Sequence, residues 1–429
     1  MDAMRDGRGP DAGLRRVFAD LHLHIGFTGR GEPVKISASR ALTFRNIAHE
    51  ASRRKGIRLL GVIDAHSPGV QRDIAELLDR GEMEEAPGGG IRYRDVTILL
   101  GAEIEVKEPG RGPAHHLVFM RDFEAMRSFT DWLRPRMANV ALSSQRLRAG
   151  GRELQREAAA RGGLFIPAHI FTPHRSLYGS CADRLSDVLD PGGVDAVELG
   201  LSADTAMAGL VPELDRYPFL TNSDAHSLAR IGREYNAMLL AEPSFDELRK
   251  ALRGEDGRRI AANYGLDPRL GKYHRTHCAG CGTTWDEADT AVADAAATAL
   301  APMAAAPAAA SELPARCPLC GSAKLIRGVS DRVRALGRLA GRDEPPMNPG
   351  RPPYICQVPL EFIPGVGPKL LERLLERFGT EMGVLHEAPP EALAEAAGGK
   401  TAALILAARE GRLALRSGGG GRYGKALSG

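Results

Sequence analysis

Histidines and carboxylates mark one predicted strand end after another in this chain, and few folds place such residues so. His22 and His24 end the first strand (F-A-D-L-H-L-H), Asp64 and His66 the second (G-V-I-D-A-H), and Glu103 lies in G-A-E-I-E. His115 and His116 precede or open another, His169 ends L-F-I-P-A-H, and Asp224 and His226 end F-L-T-N-S-D-A-H. In a barrel of parallel strands the C-terminal strand ends converge on one face, so residues far apart in sequence line one pocket. Imidazole and carboxylate together suit Zn²⁺, Mn²⁺ or Fe²⁺, and nine or ten such groups exceed what one ion can use. A cluster of two or three metals follows. Its chemistry is hydrolytic: one ion acidifies a bound water while its neighbours hold phosphoryl oxygens and stabilise the leaving oxygen. A lone strand-end histidine is more often a simple hydrogen-bonding group, but five of the eight predicted strand ends carry ligand types here.

The surrounding pattern is α/β. From Val17 to about Gly254, short apolar runs alternate with amphipathic stretches, which predicts repeated strand-helix units. Strands are expected at 17–24, 58–64, 97–106, 116–120, 164–169, 196–200, 219–224 and 237–241, and helices at 39–54, 122–137, 152–161 and 244–253. At 429 residues the chain has room for two or three domains. We divide it into a flexible extension (1–16), a catalytic barrel (17–262), a cysteine module (263–343), a Pro-rich linker (344–358), a helical segment (359–416) and a Gly-rich, disordered tail (417–429). No run of about 18 apolar residues occurs and no signal peptide opens the sequence, so a cytoplasmic, nucleoid-associated protein without a membrane partner is expected. The net charge of +3 neither demands nor excludes nucleic acid.

Four of the six cysteines form two C-x-x-C pairs, C-A-G-C (Cys278, Cys281) and C-P-L-C (Cys317, Cys320), each followed by a glycine. Four thiolates make a closed tetrahedral Zn²⁺ site that supports folding rather than catalysis. The wide gap between the pairs is mostly an alanine-rich insertion, 287–314. Beyond it, Lys324, Arg327, Arg332, Arg334, Arg338 and Arg342 face one acidic residue, Asp331, a local charge of +5 and a candidate phosphate-contacting strip. Ile363-Pro364-Gly365-Val366-Gly367, followed by an amphipathic run with Lys369 near its start, reads as a helix-hairpin-helix turn. In such a turn, glycines permit the tight bend and amides at the next helix start meet a DNA phosphate. A weaker second copy is Ala396-Ala397-Gly398-Gly399-Lys400. Together these features favour binding of the DNA backbone without base readout.

D-L-H-L-H, the Asp-x-His of the second strand, G-A-E, A-H and N-S-D-A-H, in that order, resemble the motifs of the polymerase and histidinol phosphatase (PHP) family, over about residues 17–255. That resemblance implies a distorted (β/α)7 barrel with a trinuclear metal site. It assigns metal roles to His22, His24, Asp64, His66, Glu103, His169, Asp224, His226 and one of His115 and His116. Of these, Asp224, His226, Glu103, His22 and His24 are the expected catalytic set. Many relatives have T-D-H where this chain has I-D-A-H, one residue longer.

The order of barrel, four-cysteine module and helical hairpin segment resembles the endonuclease Q family. G-L-D-P-R-L-G-K-Y-H (265–274), H-H-L-V and G-R-E-Y-N (232–236) strengthen the match. The resemblance implies a DNA-repair endonuclease that cuts 5′ to deaminated bases (uracil, hypoxanthine, xanthine) or abasic sites through a metal-activated hydroxide. The products would be a 3′-hydroxyl and a 5′-phosphate. The catalytic ions would be Zn²⁺, with Mg²⁺ or Mn²⁺ as alternatives for activity. The partner would be lesion-bearing DNA, and any sliding-clamp or repair-protein partner is left open. Two other readings compete: a small-molecule phosphoesterase of the histidinol phosphatase type, and a DNA-binding protein with an inactive barrel. The zinc module and hairpin argue against the first. The second would leave many polar groups buried in one pocket with no ion to satisfy them.

Overall fold

The computed structural model describes residues 13–285, 316–348, 350–418, 420 and 422–427. The alanine-rich insertion and most of the N-terminal extension lie outside the described residues.

Seven strands form the distorted ring that the sequence predicts. They are β1 (Arg15–Leu23), β2 (Leu59–Val62), β3 (Val96–Lys107), β4 (Pro113–Met120), β5 (Leu164–Pro167), β6 (Val197–Glu198) and β7 (Phe219–Leu220). β1, β2 and β3 pair in parallel, and β6 pairs in parallel with β7. Asp195 N–H donates to Phe165 O between β5 and β6, and Ala225 exchanges hydrogen bonds with His22 and His24 to close the ring. Within the ring one strand departs from the parallel expectation: β4 runs antiparallel to both β3 and β5. Its N-terminal end, with His115, therefore lies at the same mouth as the C-terminal ends of its neighbours.

Strand alternation separates two cores. Leu21, Ile63, Leu99, Leu117, Phe119 and Ile166 fill the barrel interior. Val62, Leu100, Val118 and Met120 face outward to the helices, where Phe44, Ile74 and Phe129 meet them. Those helices are α1 (Phe44–Glu50), α2 (Pro68–Asp79), α3 (Phe123–Leu133), α4 (Gly151–Ala160) and α5 (Phe245–Arg253). α5 shows how local sequence fixes such an element: the Ser244 hydroxyl accepts from Glu247 N–H at its start, acidic residues occupy the first turn, and Gly254 ends it at φ +67°. Its buried face presents Phe245, Leu248 and Leu252 to the inner cluster, each worth roughly 1.5–3 kcal/mol when fully buried.

Beyond the ring, β8 (Tyr235–Leu240) pairs antiparallel with β1, and β9 (Arg259–Gly265) with β8. β9 spans the expected boundary at 262/263. β10 (Tyr354–Cys356) then pairs in parallel with β9, so the stretch expected as a linker supplies an edge strand of the barrel sheet. Three residues are too few to show a period in sequence.

The cysteine module is a three-stranded sheet with Thr276–Cys278 at its centre. Helix α6 (Val329–Leu339) follows and buries Val329, Val333 and Leu336 in the outer core. The C-terminal helices are α7 (Pro368–Phe378), α8 (Pro390–Ala397) and α9 (Gly399–Arg409). Both expected hairpin turns are present, at Gly365 (φ +91°) and Gly398 (φ +78°), and a Cβ on Gly365 would come within 3.0 Å of the Thr401 hydroxyl at the start of α9. The tail also departs from expectation. Leu415–Arg416 pairs with Lys425–Ala426, and Gly418 and Gly424 N–H donate to the Arg269 and Leu270 carbonyls, at 2.7 and 2.9 Å. No described helix is long and apolar enough to cross a membrane.

Candidate metal centre

The mouth of the ring gathers seven of the ten expected ligands into three overlapping triads: His22, His24 and Glu103; His24, Asp224 and His226; and Glu103, His115 and His169. Within each, one donor atom per residue lies within 4.8 Å of the others. Glu103 and His24 are each shared by two triads, which is the arrangement several ions with common ligands require.

Glu103 is the hub. Its Oε1 lies 2.7 Å from His115 Nδ1, 3.3 Å from His169 Nε2 and 3.6 Å from His22 Nε2. Its Oε2 lies 3.6 Å from Lys35 Nζ and accepts from the Ser144 hydroxyl. Asp224 Oδ1 lies 3.5 Å from His22 Nε2 and 3.4 Å from His24 Nε2. Asp224 (φ +45°) and His169 (φ +30°) both hold left-handed backbone, a strain that tends to gather at functional sites.

Burial alone would raise the pKa of Glu103 and Asp224. The surrounding imidazoles instead hold both carboxyls well below the usual range. Burial would likewise depress His22, but Glu198, Asp224 and Glu103 push it up to about 10. The pocket therefore demands positive charge, and metal ions meet that demand as well as protons do. A second observation favours metal: His22 Nε2, which faces Glu103 and Asp224, is buried without a hydrogen-bond partner among the described residues. Buried polar atoms are seldom left so.

Three expected ligands stand outside the triads. Asp64 lies behind His24, its Oδ2 accepting from His24 Nδ1 at 3.1 Å and from Ile25 N–H at 2.8 Å, so it orients the His24 ring. His66, one residue further along than in the shorter motif, brings Nε2 to 3.4 Å from the Leu142 carbonyl. His116 is the outward-facing residue of β4. It stacks on Phe165 at 5.0 Å, and burial, with His115 and His169 nearby, lowers its pKa to about 3. Of the two histidines left open in sequence, His115 and not His116 stands in a triad among the described residues.

Sequence reasoning missed Glu198. Its carboxylate takes His22 Nδ1 at 3.0 Å, His169 N–H at 2.8 Å and the Asn222 amide at 2.7 Å, and so turns His22 Nε2 toward the cluster. The signal was available, since Glu198 lies inside the predicted strand 196–200, as Glu103 lies inside 97–106, and it closes the observed β6. Lys35 and the Ser143–Ser144 pair were missed because they come from loops. Arg175 lies 3.5 Å from Glu105, which His115, with help from Arg146 and Arg175, holds down at about 2.

The four cysteines converge as expected. Cys278 and Cys320 sulfurs lie 3.6 Å apart, and those of Cys281 and Cys317 3.7 Å, with no disulfide. Four thiolates at about 2.3 Å from a central Zn²⁺ stand roughly 3.8 Å apart, so the donor set fits that ion. The basic strip divides. Arg332 is committed to the barrel, donating to the Tyr178 and Ala182 carbonyls and to Asp183, and Arg342 forms a two-pronged pair with Asp215. Lys324 and Arg334 are exposed, as is Lys369 at the start of α7, and Arg327 is half-buried.

The triads lie at the foot of a cavity of about 960 Å³, whose rim includes Arg230, Lys272, Tyr273, Phe362 and Tyr423. A PHP-associated family model matches residues 215–256. An uncharacterized Bacillus subtilis protein, YqxK, is 50% identical over 414 residues, covering 96% of this chain and 99% of its own. The crystal structure of the lesion-specific endonuclease PfuEndoQ from Pyrococcus furiosus superposes with a TM-score of 0.78 at 32% identity, covering 96% of this chain and 95% of that one. A structure of endonuclease Q with a 27-mer duplex substrate bearing an abasic lesion at the active site gives a TM-score of 0.77 at 32% identity, covering 96% of both chains.

Proposed function

Because the chain belongs to the endonuclease Q family and is a metal-dependent DNA endonuclease, we propose that it hydrolyses the phosphodiester 5′ to deaminated bases (uracil, hypoxanthine, xanthine) or abasic sites. The products are a 3′-hydroxyl and a 5′-phosphate. The observation that carries this reading is the set of three triads sharing Glu103 and His24 beneath a cavity large enough for a nucleotide.

The triads would hold the metal ions, Zn²⁺ with Mg²⁺ or Mn²⁺ as alternatives, which when bound would supply an acidified water and neutralise phosphoryl charge. The protein does the rest. Glu198 and Asp64 fix the His22 and His24 rings through their Nδ1 atoms. Lys35 Nζ, donating to the Ser144 hydroxyl at 2.7 Å, adds a fixed positive charge beside Glu103. Arg230, Arg233 and Lys272 line the cavity and draw in the DNA backbone. The Gly367 and Lys369 N–H groups at the start of α7, with the Lys369 side chain, grip phosphates away from the cut, and Lys324, Arg327 and Arg334 extend that grip. Cys278, Cys281, Cys317 and Cys320 would hold a Zn²⁺ that keeps the module in shape. Extrusion of the altered nucleotide is easiest where pairing is already weak, which provides part of the selectivity.

End-labelled duplexes with one deoxyuridine, deoxyinosine or abasic site test the reading. One cut immediately 5′ to the lesion, leaving a ligatable 3′-hydroxyl and absent from unmodified duplex, is expected. Turnover of phosphate monoesters without any lesion-dependent cut would replace the reading with a small-molecule phosphatase.

A further inference from the structure

The described tail is folded into the wall of the cavity above the metal centre. Tyr423, Gly424, Lys425 and Ala426 line the same space as Glu103, His169 and Asp224. The hairpin is tight: a Cβ on Gly424 would overlap the Arg416 carbonyl oxygen, so glycine here serves close backbone approach and not disorder. Leu427 N–H closes it by donating to the Ala414 carbonyl at 2.8 Å.

Two aromatic rings on this rim share one cation. Lys272 Nζ stands 4.8 Å from the Tyr273 ring centre and 5.7 Å from that of Tyr423. Tyr273 is otherwise engaged, with His277 stacked at 6.3 Å and the edge of His174 at 5.7 Å. Tyr423 has no other ring contact among the described residues, and it is 43% exposed. A large aromatic surface left open beside a metal centre, between Lys272 and Lys425, matches the way proteins hold an unpaired nucleotide: the ring stacks on a base while cations meet the adjoining phosphates.

We propose that Tyr423 is a specificity residue that stacks on the extruded lesion base, with the C-terminal hairpin forming one wall of the base pocket. This rests on the endonuclease reading above. The consequence is selective, because an abasic site offers no base to stack on. Tyr423 thus contributes to cutting at deoxyinosine and deoxyuridine and leaves cutting at abasic sites alone.

The test compares kcat/KM of the full chain and its Tyr423→Ala and Tyr423→Phe variants on duplexes with deoxyinosine or an abasic site. Tyr423→Ala is expected to lose roughly tenfold on deoxyinosine and less than twofold on the abasic duplex, with Tyr423→Phe restoring the loss. Equal losses on both substrates would put the ring against the flanking strand and overturn the proposal. So would no loss on either. A wild-type chain that cuts neither duplex would refute the endonuclease reading itself, a separate outcome.

Discussion

His22 Nδ1 lies 3.0 Å from both carboxylate oxygens of Glu198, a residue 176 positions away and 1% exposed. This pair fixes which ring nitrogen of His22 faces the metal centre. Replacing Glu198 with Ala should therefore lower metal affinity and nicking by roughly 10- to 100-fold while the fold persists. Metal titration of the variant followed by mass spectrometry, beside a nicking assay, checks both effects. Unchanged metal affinity would remove Glu198 from the site.

The barrel and the helical domain meet through Lys55 and Glu381, 2.7 Å apart and nearly buried, with Lys55 also donating to the Ala229 carbonyl at 2.8 Å. Removing one charge strands the other. Lys55→Met or Glu381→Leu alone should destabilise by about 3–5 kcal/mol, and the double replacement should recover most of that. Denaturant unfolding of the four proteins measures it. Because Ala229 follows the ligand pair Asp224 and His226, the single variants should also lose activity.

Cys281→Ser should release one equivalent of zinc and lower the melting temperature, since a structural zinc site contributes directly to folding. Elemental analysis with thermal melting reads both. The metals at Glu103 should remain in that variant.

Burial raises the Glu234 carboxyl to about 8, although its Oε1 accepts from Leu266 N–H at 2.8 Å. The folded state thus holds this proton more tightly than the unfolded chain, whose carboxyl titrates near 4.5. The favourable contribution is complete below pH 4.5 and fades as the pH rises through 8. Glu234→Gln should therefore match the wild type near pH 5 and melt roughly 5 °C higher at pH 9. Equal melting curves at both pH values would refute this.

Much of the barrel and its ligands is legible in the sequence because both signals are local. Short apolar runs mark β1 and β3, and His22 and Glu103 stand in their C-terminal halves. Strand direction and register are not local, so the antiparallel run of β4 and its pairing of His115 with Glu105, which place His115 rather than His116 on the face of Glu103, emerge only from pairing. Glu198 escaped because V-E-L-G contains no histidine to draw attention to its strand end. Arg332 read as a DNA contact because charge in sequence does not reveal that Tyr178, Ala182 and Asp183 already engage it. The glycines of the tail read as disorder for a similar reason, since a close backbone approach and a flexible segment call for the same residue.

The most direct test of the central claim, that the Glu103-centred cluster cuts lesion-bearing DNA, is single-turnover nicking of a deoxyinosine duplex by Glu103→Gln, with its metal content measured in parallel. The account predicts loss of cluster metal with the cysteine zinc retained, DNA binding preserved, and nicking reduced at least about 1,000-fold, some 4 kcal/mol of barrier. A variant that keeps its metals and still cuts 5′ to deoxyinosine at the wild-type rate would contradict it.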